Sequence, residues 1–298
     1  MKKNTVVNNS PIAPSELIIS PEGRIYHLDL LPTDIADNII VVGDQERVER
    51  VSSYFDTIEV KISKREFVTH TGTIRGKKIT VLSTGIGCDN IDIVINELDA
   101  LVNIDFKTRL PNKQHRVLNI IRLGTSGSLQ EDIPVDSFVI STFGLGFDGL
   151  LSFYDAKYDD IEDELKKEFL SQIQWDNDIN TPYFVQGDDM LIKAIGKGMH
   201  SGITATANGF YGPQGRVLRL PAKIPTLNEQ LFNFKYKDFR ITNFEMETSA
   251  LYGLCAMLGH RSCTVCAIIA NRFKKEYSKD YKKTVDLLIQ NVLSKFPL

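Results

Sequence analysis

The chain has 298 residues and a mass of 33.6 kDa, enough to bury a substantial core in one large domain or two small ones. Hydrophobic residues make up 42% and charged residues 24%, as in an ordinary soluble globular protein. A formal net charge of −3 and a pI near 6.0 argue against nucleic acid or an anionic membrane as the main partner. No apolar run reaches the length of a membrane span, and residues 1–14 lack a signal-peptide core, so a cytoplasmic location is expected.

Residues 1–24 are polar and punctuated by prolines, which predicts a loose N-terminal arm ahead of one domain over residues 25–298. The run Ile25-Tyr26-His27-Leu28 sets His27 among apolar neighbours, where a packed core histidine is the simplest reading. Residues 38–42 read as a short strand running into Gly43-Asp44-Gln45-Glu46-Arg47. Asp44 suits a helix N-cap, which puts Arg47 in the first turn. A strand ending in glycine before a helix N-terminus is an anion-binding geometry. Residues 66–74 and 78–82 read as a hairpin joined through Arg75-Gly76-Lys77, followed by a glycine turn at Ser83-Thr84-Gly85-Ile86-Gly87. The next helix carries Ile91, Val94, Ile95, Leu98, Leu101 and Val102 at helical spacing. Residues 106–116 are basic and polar, a surface loop.

The run of residues 117–127, V-L-N-I-I-R-L-G-T-S-G, predicts a central strand of an α/β sheet ended by a glycine turn. Arg122 lies inside that apolar run and needs an anionic partner. Either a structural carboxylate answers it, or the guanidinium, the hydroxyls of Thr125 and Ser126 and the turn's N–H groups hold a phosphate or other oxyanion. Residues 136–143 predict another strand, leading into Gly144-Leu145-Gly146-Phe147-Asp148-Gly149. That matches G-x-G-x-x-G, but residues 150–158 lack the helical stripe that a dinucleotide fingerprint requires.

Residues 162–173 and 190–197 predict helices, and residues 202–207 a strand leading to the glycine-rich loop 208–216. That loop holds Phe210, Tyr211, Gln214 and Arg216. Residues 245–258 read as a helix entered through Asn243-Phe244-Glu245-Met246-Glu247, residues 263–270 as the last core strand, and residues 277–296 as a closing amphipathic helix. Cys263 and Cys266 lie three apart in a strand and face opposite sides of a sheet, so buried structural thiols are expected rather than a disulfide or a zinc site. Alternation of strands and helices without repeats or a long linker predicts a single α/β domain.

Seven motifs in order, G-D-x-x-R, S-x-R-E-F, S-T-G-I-G, I-R-L-G-T-S-G, the F-Y…Q-x-R loop, F-E-M-E-T and a late N-R, resemble the nucleoside phosphorylase family of the uridine phosphorylase type. The resemblance runs from His27 to about Arg272. It implies a three-layer α/β/α fold on a central mixed sheet, and phosphorolysis of a nucleoside to its base and ribose 1-phosphate. On the family's pattern, phosphate falls to Gly43, Arg47, Arg122 and Thr125, with Arg65 reaching in from a neighbouring subunit. Ribose falls to Met246 and Glu247, with Thr125 and a neighbour's His27, and the base to Phe210, Gln214 and Arg216. Arg122, Arg216 and Glu247 are the residues on which the chemistry is expected to rest. The bond to the base loosens first, bound phosphate captures the cationic ribose, and Gln214 and Arg216 receive charge on the leaving base.

Purine-handling relatives carry a Ser–Asp pair at the end of the last core strand. Here Ile269-Ala270-Asn271-Arg272 offers no such acid, which points to a pyrimidine nucleoside such as uridine. A purine phosphorylase, an N-ribosyl hydrolase of the same fold and a non-catalytic nucleoside-binding protein are the alternatives. No cofactor or metal is expected beyond phosphate as co-substrate, and shared sites imply a homo-oligomer, a dimer at least and up to a hexamer. Gly87-Cys88-Asp89-Asn90 departs from the family's G-G-P-S, where some bacterial members bind a monovalent cation. Gly212-Pro213 reverses the usual order, and the arm and loop 106–116 are enlarged.

Overall fold

The computed structural model describes Met1, Lys3 and residues 10–295. In chain order the elements are β1 (Asn38–Val42), α1 (Gln45–Ser52), β2 (Thr57–Lys64), β3 (Phe67–Ile74), β4 (Lys77–Ser83) and α2 (Cys88–Asn103). A small hairpin, β5 (Ile104–Asp105) and β6 (Leu110–Pro111), precedes β7 (Asn119–Ser128), β8 (Phe138–Gly146), α3 (Asp160–Gln172) and β9 (Tyr183–Gln186). Then come α4 (Asp189–Ile195), β10 (His200–Thr206), α5 (Leu227–Asn233), β11 (Lys235–Tyr236), β12 (Phe239–Glu245), α6 (Thr248–Leu258), β13 (Arg261–Asn271), β14 (Glu276–Tyr277) and α7 (Tyr281–Ser294).

The order β11-β12-β10-β8-β13-β7-β1-β4-β3-β2 describes one mixed sheet in a single α/β domain. Its centre is parallel, with β7 between β1 and β13, and the β2–β3–β4 wing is antiparallel. Side chains of the central strands alternate between two cores. Ile39, Val41, Leu118 and Ile120 face α2 and α6, whereas Ile40, Val42, Ile121 and Leu123 face α1, α4 and α7. Burial on both faces explains why these strands read as continuous apolar runs.

β12 also returns to pair with β7, Asn243 opposite Ser128 and Phe244 opposite Gly127, so β7, β13, β8, β10 and β12 form a closed ring. Part of the ring is polar. Asn243 Oδ1 accepts from Thr204 Oγ1 at 2.9 Å and Thr242 Oγ1 at 2.8 Å, and its Nδ2 donates to Ser126 Oγ at 2.9 Å. Those bonds satisfy groups that would otherwise be costly to bury.

Several expectations change. The turn expected at residues 124–127 is strand, because β13 continues its ladder along β7 from Asn119 to Ser128. On the opposite edge β1 leaves β7 after Leu123 and β12 joins only at Gly127, so the backbone between them keeps an edge without a ladder partner. The helix expected from residue 245 begins at Thr248, and Glu245 ends β12. The closing helix starts at Tyr281, behind an Asp280 cap that accepts from Lys283 N–H at 3.1 Å; residue 296 lies outside the described residues. The segment expected as a loose arm is tied down from Ser10 onward. Arg109, in the enlarged loop, donates to the carbonyls of Ile12 at 2.7 Å, Ala13 at 3.3 Å and Leu17, and Leu17 is buried.

Asp44 caps α1 as expected, accepting from Glu46 N–H at 3.0 Å. Gly144 and Gly146 sit in β8 against Ser249 and Tyr183, and a short 3-10 turn, not an α-helix, follows the G-x-G-x-x-G run. Among the described residues no helix is long and apolar enough to cross a membrane.

Candidate active site

The gap between β1 and β12 on the edge of β7 opens into a cavity of about 1140 Å³. Its walls bring together Gly43 and Arg47 from the β1–α1 junction and Arg122 and Thr125 from β7. They also hold Phe210, Gln214 and Arg216 from the glycine-rich loop, and Met246 and Glu247 from the β12–α6 junction. Nine of the eleven residues assigned by resemblance therefore meet in one place. His27 and Arg65 do not line it. His27 is half-buried elsewhere, its Nδ1 2.6 Å from Glu97 Oε1. Arg65 is exposed in the β2–β3 turn, its guanidinium 5.7 Å from the centre of the Tyr26 ring.

Arg122 has the anionic partners its burial demands. Nη1 lies 3.1 Å from Glu245 Oε2, and Nη2 donates to Glu247 Oε2. The guanidinium curls back over Gly124, where a Cβ would stand 2.1 Å from Nη1, so only glycine leaves it room. Burial works against its charge, but Glu247 and then Glu245 more than offset that and raise its pKa. For Glu247 burial wins and raises the carboxyl above its ordinary range, with Arg122 pulling the other way.

Glu247 also accepts from Gly87 N–H at 2.7 Å, at the start of α2. Gly87 has φ of 101°, a conformation that suits glycine. Cys266 Sγ is 3.6 Å from Arg122 Nη1, and burial pushes its thiol up to about 11. Cys263 packs on the opposite face, and all four cysteines are free and buried.

Arg47 is 8% exposed and donates only to the Leu123 carbonyl, at 3.1 Å. Its Nε and that of Arg122 are buried without partners among the described residues. Burial lowers the pKa of Arg47, opposed by Asp44. Arg216 stacks 3.7 Å above the Phe210 ring and donates to Gln214 Oε1 at 2.5 Å. Burial lowers its pKa too. No carboxylate pairs with Arg47 or Arg216 among the described residues. Arg47, an under-compensated guanidinium in the first turn of α1, makes that part of the cavity an anion site, and Arg216 brings a second such guanidinium to its wall.

Glu245 and Arg272 belong to the motifs, but the resemblance assigns them no role. Glu245 lines the cavity, and Arg272 braces the glycine-rich loop, donating to Gln214 O at 2.6 Å and Asn228 Oδ1 at 2.9 Å. Burial first, then Arg216, lowers its pKa to about 10. The available signal was a second charge at the end of an otherwise apolar strand. Ser126, whose hydroxyl the sequence offered beside Thr125, is also on the walls, whereas Asn90 and Tyr277, likewise there, carried no such signal.

Away from the cavity, ligand atoms of Asp99, His115 and His260 lie within 4.8 Å of one another. His260 is a poor metal ligand. Its Nδ1 accepts from Leu118 N–H at 3.1 Å, which leaves its proton on Nε2, 3.1 Å from Asp99, while His115 Nε2 lies 2.8 Å from the Leu258 carbonyl.

A family model described as the phosphorylase superfamily matches residues 37–294. A uridine phosphorylase of Thermococcus kodakarensis is 31% identical over 268 residues, 90% of this chain and 84% of that protein. A uridine phosphorylase of Haemophilus influenzae is 28% identical over 275 residues, 91% and 96% of the two chains. Among solved structures, a Trypanosoma brucei nucleoside phosphorylase described as showing uridine phosphorylase activity superposes with a TM-score of 0.83. It has 30% identity and covers 93% of this chain and 99% of its own.

Proposed function

The chain belongs to the phosphorylase superfamily, and from that premise we propose that it is a uridine phosphorylase, a pentosyltransferase converting uridine and phosphate reversibly to uracil and ribose 1-phosphate. The observation that carries this reading is that anion-binding, sugar-binding and base-binding groups line one cavity. Arg47, Arg122 and the α1 N-terminus line it together with Met246 and Glu247 and with the cluster of Phe210, Gln214 and Arg216, and the resemblance reads these as phosphate, ribose and base groups in that order. Phosphate is held by Gly43, Arg47, Arg122 and Thr125. Met246 gives the ribose an apolar floor and Glu247 accepts from its hydroxyls, placing C1′ between anion and base. As the glycosidic bond loosens, the phosphate dianion stabilises the cationic sugar and Arg216 and Gln214 stabilise the departing uracil anion. The catalysis is positioning and preorganised charge, without a covalent nucleophile or cofactor.

Gln214 is nine-tenths or more buried, and its carbonyl already accepts from Arg216. A second lone pair and the amide's two N–H donors remain for the N3–H and a carbonyl of uracil. The last core strand supplies no carboxylate at Ala270-Asn271 to protonate a purine. The wild-type enzyme is therefore expected to favour uridine over inosine in kcat/KM, by up to ~10⁴-fold for a hydrogen-bonding site, and Gln214→Ala to erode the preference. Equal kcat/KM values for the two nucleosides would remove the pyrimidine assignment.

The site is completed by a second copy of the chain, at least as a dimer, with the neighbour's His27 and Arg65 reaching ribose and phosphate. The location of both residues outside their own cavity supports this. Mixing inactive His27→Ala with inactive Glu247→Gln should restore activity through hybrid sites, and a mixture as inactive as its parts speaks against sharing.

A further inference from the structure

The two carboxylates beside Arg122 are held very differently. Glu245 Oε1 accepts from Thr206 Oγ1 at 2.7 Å and Thr248 N–H at 3.1 Å. Its Oε2 accepts from Glu247 N–H at 3.0 Å and Thr248 N–H at 3.1 Å, and faces Arg122 Nη1 at 3.1 Å. An ionised carboxylate has about four acceptor positions, so Glu245 is saturated from within the protein. Glu247 has two partners, Gly87 N–H at 2.7 Å and Arg122 Nη2, and lines the cavity with acceptor capacity left over.

We infer that Glu245 is a fixed counter-ion of Arg122 and Glu247 an exchangeable one, so that nucleoside and phosphate bind with positive coupling; this rests on the phosphorylase reading above. Glu247 occupies Arg122 as an anion would. Ribose hydroxyls donating to Glu247 draw on its charge, and the guanidinium turns more of its donor capacity to phosphate. Phosphate on Arg122 releases Glu247 toward the sugar in the same measure, because linkage is reciprocal. Glu245 acts as a positioning residue that keeps Arg122 at the strand end during the exchange. Thr206, fully buried, fixes Glu245 in turn.

Calorimetric titration of inorganic phosphate into the full chain and two isosteric variants tests this. Glu247→Gln is expected to bind phosphate ~5-fold or more tightly than wild type, the low end of ordinary coupling, while its KM for uridine rises. Glu245→Gln is expected to bind phosphate more weakly by a similar factor, because Arg122 loses its fixed partner. Simple removal of negative charge would tighten both variants, and a purely architectural pair would weaken both; either result overturns the inference. Should Glu245→Gln fail to fold, wild-type initial rates decide. The KM for phosphate should be ~5-fold lower at saturating than at low uridine, and a KM independent of uridine overturns the inference. Absence of any phosphate-dependent uridine cleavage would instead refute the phosphorylase reading, whatever the titrations show.

Discussion

Arg122 and Arg47 are both buried guanidiniums on one cavity wall, yet their removal should look different. Arg122 neutralises two buried carboxylates, and Arg122→Ala leaves Glu245 and Glu247 facing each other. Breaking a buried pair in this way costs about 3–5 kcal/mol of stability, so loss of activity in that variant cannot be assigned to chemistry alone. Arg47 holds only a carbonyl and has an idle Nε. Arg47→Ala should change stability by no more than about 1 kcal/mol. It should raise the KM for phosphate or lower turnover by ~10²-fold, as for loss of an oxyanion donor. Phosphate saturation curves and thermal melts check both statements, and unaltered phosphate kinetics in folded Arg47→Ala would remove it from the site. The need of Arg122 for an anion was legible in the sequence, because one charge stood in an apolar strand. Its partners were not, since Glu247 is 125 positions away and only the fold brings it back.

At the scale of elements, the strands that read clearly were those buried on both faces, such as β1 and β13. β2 was missed because it is an edge strand with exposed, charged alternate positions. β12 is not legible as a strand, and only its last residue, Glu245, falls in the expected helix, because Thr242 and Asn243 are polar and their burial makes sense only inside the closed ring. The α1–β3 joint makes a separate prediction, because α1 carries Arg47. His70 on β3 is 8% exposed, with Nδ1 2.8 Å from Ser52 Oγ on α1. Burial, and secondarily Lys61, holds its pKa below the ordinary 6.5. The folded protein therefore binds this proton less readily than the unfolded chain, and stability falls as pH drops below about 6.5 until the folded-state pKa is passed. His70→Gln should show a smaller fall in melting temperature between about pH 7 and pH 5.5 than wild type. Equal falls would mean that His70 contributes nothing to acid sensitivity.

At the scale of the whole molecule, six of the seven short motifs, spread from Gly43 to Glu247, place residues on one cavity because strand ends meet where β1 and β12 part on β7. Spacing along the chain could order those motifs but could not show that His27 and Arg65 stand apart from the cavity that gathers the rest. The central claim joins that geometry to a reaction in which phosphate, not water, receives the ribosyl group. The most direct test incubates the purified chain with uridine, with and without inorganic phosphate, and quantifies uracil, ribose 1-phosphate and free ribose. The expected result is uracil only when phosphate is present, with ribose 1-phosphate in equal amount. Uracil released with free ribose in the absence of phosphate, or no uracil under either condition, would contradict it.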